Sequence, residues 1–230
     1  MKDYMKFGKF KLTNARCLIY KKVGIIGDLH IGFDVHFCES GAMFPMVHME
    51  RVLNDIKETI HKFKLKKLII NGDIKHNFKP YPKEIKLLDE FIKELKSEVE
   101  LILIRGNHDT LCPFDLEEHY KLDDFVITHG HKYMDKEDFL ILSHEHPSIR
   151  LRDELGSIIK FPIYLINNNY IVLPAFNRFS PGNDLISNYP SSKIIREDYL
   201  NSNVVAITDV GLLDFGNLKD LREFVEKCMI

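Results

Sequence analysis

The sequence has 230 residues, with 32 Lys and Arg against 34 Asp and Glu and a formal net charge of −2. That length supports one large core, so the whole chain, 1–230, reads as a single domain, and the near balance of charge excludes the global basic field that advertises nucleic acid. It does not exclude nucleic acid itself, since metal ions in a site carry their own positive charge.

The four cysteines, Cys17, Cys38, Cys112 and Cys228, form no C-x-x-C pair and no disulfide-like spacing, and read as reduced thiols. No signal-peptide core follows the N-terminal charges, and no apolar run approaches the ~18 residues of a membrane span. A soluble cytoplasmic protein with no membrane partner is expected.

In chain order, residues 12–20 hold a strand or two, broken by Lys21 and Lys22. Residues 23–27 are apolar on both faces, as central strands of layered α/β proteins are. They deliver Asp28 and His30 to one ion, because side chains two apart in an extended segment point the same way, and Leu29 turns into the core. Residues 32–45 read as a long loop facing substrate. A helix over 47–63 buries Val47, Leu53, Ile56, Ile60 and Phe63. A strand over 67–71 ends in Gly72 and Asp73, where the glycine permits a sharp turn. A helix over 83–97 buries Ile85, Leu88, Ile92 and Leu95, and a strand over 99–104 runs into Gly106, Asn107, His108 and Asp109.

Apolar segments over 125–128 and 139–142 then lead into His129-Gly130-His131 and His144-Glu145-His146. Residues 158–167 and 170–173 read as a hairpin, 204–209 and 211–215 as late strands, and 218–227 as a closing helix. Strand, helix, strand, helix, strand in the first half implies a parallel core with ligands at the carboxyl ends of its strands. The second half suggests a more antiparallel sheet packed on the first.

Asp28, His30, Asp73, Asn107, His129, His144 and His146 together offer mixed oxygen and imidazole ligands, which suit manganese first, with iron, zinc, nickel or cobalt as alternatives. Seven ligands exceed the needs of one ion. With Asp73 bridging they divide into two groups of four, a clamp for in-line displacement at phosphorus by a hydroxide held between two ions. His108 is the natural general acid for the leaving alkoxide, and Asp109 can accept its other N–H. Arg150 and Arg152 can reach phosphate oxygens. His131 competes with His129 as a ligand. His76 is close enough to Asp73 to support the site.

D-L-H, G-D, G-N-H-D, H-G-H and H-E-H in this order resemble the calcineurin-like metallophosphoesterase superfamily. Over most of the chain the sequence looks closest to archaeal SbcD-related phosphoesterases and DNA ligase-associated phosphoesterases, on Gly27 to Gly32, Gly72 to His76, His146 to Arg152 and Leu173 to Phe176. The resemblance implies an α/β fold, a four-layer α-β-β-α sandwich of two mixed sheets flanked by helices. It also implies that Asp28, His30 and His146 take one metal, that Asn107, His129 and His144 take the other, that Asp73 is shared, and that His108 is catalytic. His76 and Ser143 depart from the family pattern without removing a ligand.

The function expected is a metal-dependent phosphodiesterase or nuclease in DNA or RNA processing, acting either on small phosphodiesters or with a DNA-processing partner protein to hold nucleic acid. Two alternatives stand beside it: a phosphomonoesterase or cyclic-nucleotide phosphodiesterase, and a non-catalytic scaffold that retains the fold.

Overall fold

The structure, a computed structural model, describes residues 3–41, 43, 47–152 and 156–228, with Cys228 described in its backbone only. Six strands, β1 (Tyr4–Phe7), β2 (Phe10–Thr13), β3 (Leu18–Tyr20), β4 (Val23–Ile26), β5 (Lys67–Asn71) and β6 (Glu100–Ile104), form one sheet in that order. Short turns join β1 to β4, so these strands run antiparallel. β4, β5 and β6 are parallel, because helices carry the chain back between them.

Those helices are α1 (Phe33–Glu39), α2 (His48–Phe63) and α3 (Pro82–Glu98). α1 occupies much of the segment expected to be a loop. It is too short to show helical periodicity in sequence, and is held by the Asp34 carboxylate, which accepts the N–H groups of Val35 and His48 at 3.0 Å each. Residues 42 and 44–46 of that expected loop lie outside the described residues. In α2, Ile56 and Ile60 are buried as expected, joined by Val52, while Leu53 and Phe63 are partly buried. In α3, Leu88, Ile92 and Leu95 are buried, but Ile85 is 37% exposed and Phe91 packs in the core instead. Glu84 turns inward there because its carboxylate accepts the backbone N–H groups of His76 and Asn77, 3.1 Å each.

The second sheet holds β7 (Tyr120–Leu122), β8 (Phe125–Ile127), β9 (Phe139–Leu142), β10 (Pro147–Arg152), β11 (Ile158–Ile166), β12 (Tyr170–Val172), β13 (Asn183–Asp184), β14 (Asn203–Thr208) and β15 (Gly211–Asn217). Its order is β13-β10-β11-β12-β9-β8-β7, with β14 pairing β11 and β15 pairing β14. β8, β9 and β12 are mutually parallel, and the expected hairpin is the antiparallel β11–β12 pair. α4 (Leu218–Cys228) closes the chain.

Strand alternation builds the layers. Ile25 and Ile69 face the second sheet, where Phe125, Ile141, Tyr164 and Ile171 meet them. Ile26, Leu68 and Ile70 face the opposite way, onto Ile56, Ile60, Leu88 and Ile92 of α2 and α3. On the outer face of the second sheet, Leu140, Leu142, Ile163 and Leu165 pack on Leu218 and Leu221 of α4. The result is two mixed sheets flanked by helices, in four layers. Asn71, fully buried, ties the sheets at one end by donating to the Thr128 carbonyl at 2.9 Å and the Ser143 hydroxyl at 3.0 Å. No described helix is long and apolar enough to cross a membrane. Cys17, Cys38 and Cys112 are in no disulfide.

Candidate metal centre

Five loops meet at the carboxyl ends of parallel strands: Asp28 and His30 after β4, Asp73 after β5, Asn107 and His108 after β6, His129 after β8, and His144 and His146 after β9. The backbone there differs from the extended one expected at Asp28 and His30. Asp28, His30, Asp73, His144 and His146 all have left-handed φ, between 46° and 65°. Each such non-glycine residue costs on the order of 1–3 kcal/mol and persists only where its surroundings dictate it. Here the Asp28 and His30 N–H groups donate to the carbonyls of Gly72 and Asp73 at 3.0 and 2.9 Å, and His144 N–H reaches Asp28 Oδ1 at 3.3 Å. Leu29 between them is buried in the core, as expected.

The loops approach so closely that side chains would obstruct them. A Cβ on Gly106 would lie 2.2 Å from both Asp73 N and Asp73 Oδ1. Gly72 has φ 81°, and a Cβ there would meet His129 Nδ1 at 2.3 Å.

Two sets of donors result. Asp28, His30, Asp73 and His146 bring one ligand atom each within 4.8 Å of one another, and so do Asp73, His129 and His144. Asn107 Oδ1 joins the second set, 3.2 Å from His129 Nε2. Asp73 belongs to both. His131 joins neither, although its ring centre is 5.2 Å from that of His129. His30, His76 and His108 form a third close group.

Several atoms are consistent with a cation in this space. Asp28 Oδ2 is buried without a hydrogen-bond partner, and His30 Nε2 faces His146 Nε2 at 3.5 Å. Two imidazole nitrogens gathered beside an unpartnered carboxylate oxygen are atoms a divalent ion would satisfy, and the mixed oxygen and nitrogen donor set fits a transition metal. Burial lowers His30 to about 3 and His144 to about 4, leaving both as neutral lone-pair donors. Burial alone would lower His129 too, but its bonds and charge contacts with Asp73 and Asp28 raise it to about 9.

Backbone carbonyls set the ring orientations. His129 Nδ1 donates to Asn71 O at 3.0 Å, which turns Nε2 toward Asp73. His108 Nδ1 donates to the His76 carbonyl, leaving Nε2 4.0 Å from Asp73 Oδ2. This corrects the expected role of Asp109. Its buried carboxylate does not take the His108 ring N–H. It accepts the backbone N–H groups of Gly106, Ile74 and Lys75 at 2.8, 2.9 and 3.2 Å, pinning the G-N-H-D loop to the G-D loop.

Arg150 and Arg152 are also corrected. They lie on β10 and neither lines the cavity over the histidines, which is bounded by His30, Phe33, His108, His144, His146 and Asn177 among others. By alternation they share one face of β10 with Ser148.

Four residues escaped sequence reasoning. Asn71 reads in the sequence only as the end of a strand. Lys75, wholly buried, bonds the carbonyls of Asn77 and His108, a role signalled only by a lysine amid G-D-I-x-H. Glu145, between the two histidines, accepts the N–H groups of Ser191 and Ser192 at 2.9 and 3.0 Å. Ser180 Oγ stands 2.6 Å from His146 Nδ1, and no local pattern announces it. Ser143, a departure from the family pattern, accepts from Asn71 and so fits the sheet junction.

An α/β sandwich with a His/Asp cluster at the shared strand ends defines a class of metal-dependent hydrolases. The calcineurin-like phosphoesterase model matches residues 21–195, and the chain belongs to that family, whose members hydrolyse phosphoester bonds with divalent metals. Among solved structures the chain is similar to the Pseudomonas putida nuclease MPE, with a TM-score of 0.67 and 20% identity over 90% of this chain and 94% of that one. No curated protein sequence matches it.

Proposed function

We propose that this chain is a two-metal phosphodiesterase acting on nucleic acid. The observation that carries the reading is the position of Asp73, common to both donor sets. One ion would be held by Asp28, His30 and His146, the other by Asn107, His129 and His144, with Asp73 between them. Ions so bound would activate water as the nucleophile and offset phosphate charge; manganese is the ion proposed first.

The chain's own residues supply the rest. His108, with Nδ1 tied to a carbonyl, presents Nε2 toward the cavity, where it donates a proton to the departing alkoxide. Asp73 accepts the His108 backbone N–H at 2.8 Å and so keeps that ring beside the carboxylate that would lie between the ions. Aromatic rings border the same space. Phe78 stacks on His108 with ring centres 4.3 Å apart, and Phe33 stacks on Phe179 at 6.0 Å. Such faces accept unstacked bases with little sequence preference. The Pseudomonas putida neighbour is a nuclease, and that supports extending the same substrate class to this chain.

The test is hydrolysis of bis-p-nitrophenyl phosphate against p-nitrophenyl phosphate with Mn²⁺, in wild type and His108→Ala. Diester cleavage lost in the variant is expected. Monoester cleavage alone would place the chain among the phosphatases. Turnover of neither by metal-loaded protein would point to a partner protein or a demanding ester, and absence of bound metal would favour the scaffold.

A further inference from the structure

Behind His146 and Ser180 lies a second, smaller cavity of about 150 Å³. It shares His146, Ser180, Pro181 and Gly182 with the histidine cavity, so the two are neighbours across one wall. Its lining holds three cations, Arg16, Lys160 and Arg178, and no acidic side chain among the described residues.

These cations come from three separate parts of the chain and are held in place largely without being neutralised. Arg16, in the turn between β2 and β3, donates to the carbonyls of Ala175 and Asn177 at 2.8 and 3.3 Å. Lys160 on β11 donates to the Gly182 carbonyl at 3.0 Å. Both partners are neutral, so the charges remain. Arg178 meets Asp55 at 3.1 Å on the exposed rim. Arg150 is paired with Lys160 across the β10–β11 ladder and adds to the positive field; the Asp184 carboxylate, bonded by the backbone N–H groups of Arg150 and Ile186, acts on Lys160 in the opposite sense but less than burial and Arg150 do. Burial and then the Arg178 charge bring Arg16 down to about 10, as for a cation short of counter-charge.

Ser148 supplies an independent observation. It is 2% exposed, lines this cavity, and its hydroxyl has no hydrogen-bond partner. A buried hydroxyl is rarely left so, and here it stands beside cations whose remaining donors are free to converge on an anion.

We propose that this cavity binds a phosphate group, and that in a polynucleotide substrate it holds the phosphodiester neighbouring the one at the histidines. The first half stands on the cavity itself; the second rests on the nucleic-acid reading above. A partly enclosed pocket strengthens each charged contact over its value in open water. The chain's slight net negative charge is no obstacle, because the cations are gathered where a strand leaving the metal centre would pass.

Binding is measured first on metal-free protein in EDTA at low salt, by anisotropy of fluorescein-labelled oligothymidylate with inorganic phosphate as competitor. Lys160→Glu is expected to weaken oligothymidylate binding at least tenfold and to abolish competition by phosphate. Lys160→Arg should retain both, and Arg178→Ala, at an exposed site, should weaken binding severalfold. Unchanged affinity in folded Lys160→Glu and Arg178→Ala overturns the proposal. Phosphate binding that depends on Lys160, with oligothymidylate binding that does not, would mean free phosphate as the ligand and overturns the polynucleotide half.

With Mn²⁺ present, the ratio of kcat/KM on thymidine trinucleotide to that on bis-p-nitrophenyl phosphate should fall about tenfold in Lys160→Glu. Variant-dependent binding by a metal-loaded protein that cleaves neither bis-p-nitrophenyl phosphate nor the trinucleotide upholds the cavity and counts against the diesterase reading for the chain acting alone. Diester cleavage with variant-independent binding and an unchanged ratio does the reverse.

Discussion

The backbone N–H of His108 donates to Asp73 Oδ1 at 2.8 Å, and the ring Nε2 of the same histidine stands 4.0 Å from Asp73 Oδ2. One carboxylate therefore joins the two donor sets and also sets the position of the proposed acid. Asp73→Asn is expected to cut bound metal and to lower diester turnover on the order of a thousandfold, the scale of losing one preorganised charge-stabilising group. His108→Ala should lower kcat roughly 100- to 10,000-fold while metal content holds. Elemental analysis beside the turnover assay checks both, and full activity in Asp73→Asn would sink the bridging assignment.

Gly106→Ala forces a Cβ to within 2.2 Å of Asp73 N and Oδ1. Backbone cannot yield there as a flexible side chain can, so about 1–3 kcal/mol of stability should be lost. Urea unfolding measures this, and metal content should fall with it because Asp73 is the atom displaced.

Asp109→Ala leaves three backbone N–H groups without their acceptor. Orphaned buried donors cost about 1–3 kcal/mol each at most, partly recovered by water, so a net loss of about 3 kcal/mol is expected in urea unfolding. A loss of activity with no loss of stability would instead restore Asp109 as the ring partner of His108.

The metal-free protein should be most stable near pH 6.5. His129, raised to about 9 by Asp73 and Asp28 against the effect of burial, contributes stability that is complete below its unfolded value of about 6.5 and lost as pH rises to about 9. His30, lowered by burial to about 3, works in the other direction, and its contribution is lost as pH falls below about 6.5. A divalent ion must displace the His129 proton, so the rise in Tm on adding Mn²⁺ should grow from pH 6.5 to pH 9. A rise in Tm that is flat across that window would show that His129 does not hold metal.

Much of the frame was legible because it depends on local pattern. β4, β5 and β6 read as buried strands from short apolar runs, and α2 and α3 from their spacing. The polar residues that follow the strands could be named in advance, since D-x-H or N-H-D has little use in a core. α1 was not legible, because seven residues show too little periodicity and its anchor, Asp34, bonds across to His48. β10 was not legible, because six residues that open on a proline and alternate into two arginines carry little apolar signal.

The sequence by itself determined which side chains could meet a cation and that they follow strands, because donor chemistry and strand ends are both written locally. Only the tertiary structure decided what each polar atom is bonded to. His108 is oriented by the His76 carbonyl rather than by adjacent Asp109 because a hydrogen bond is chosen by distance and direction in space, not by neighbourhood in the chain. For the same reason Arg16, Ser148, Lys160 and Arg178, scattered over the sequence, share one wall, while Arg152 stays outside the cavity over the histidines.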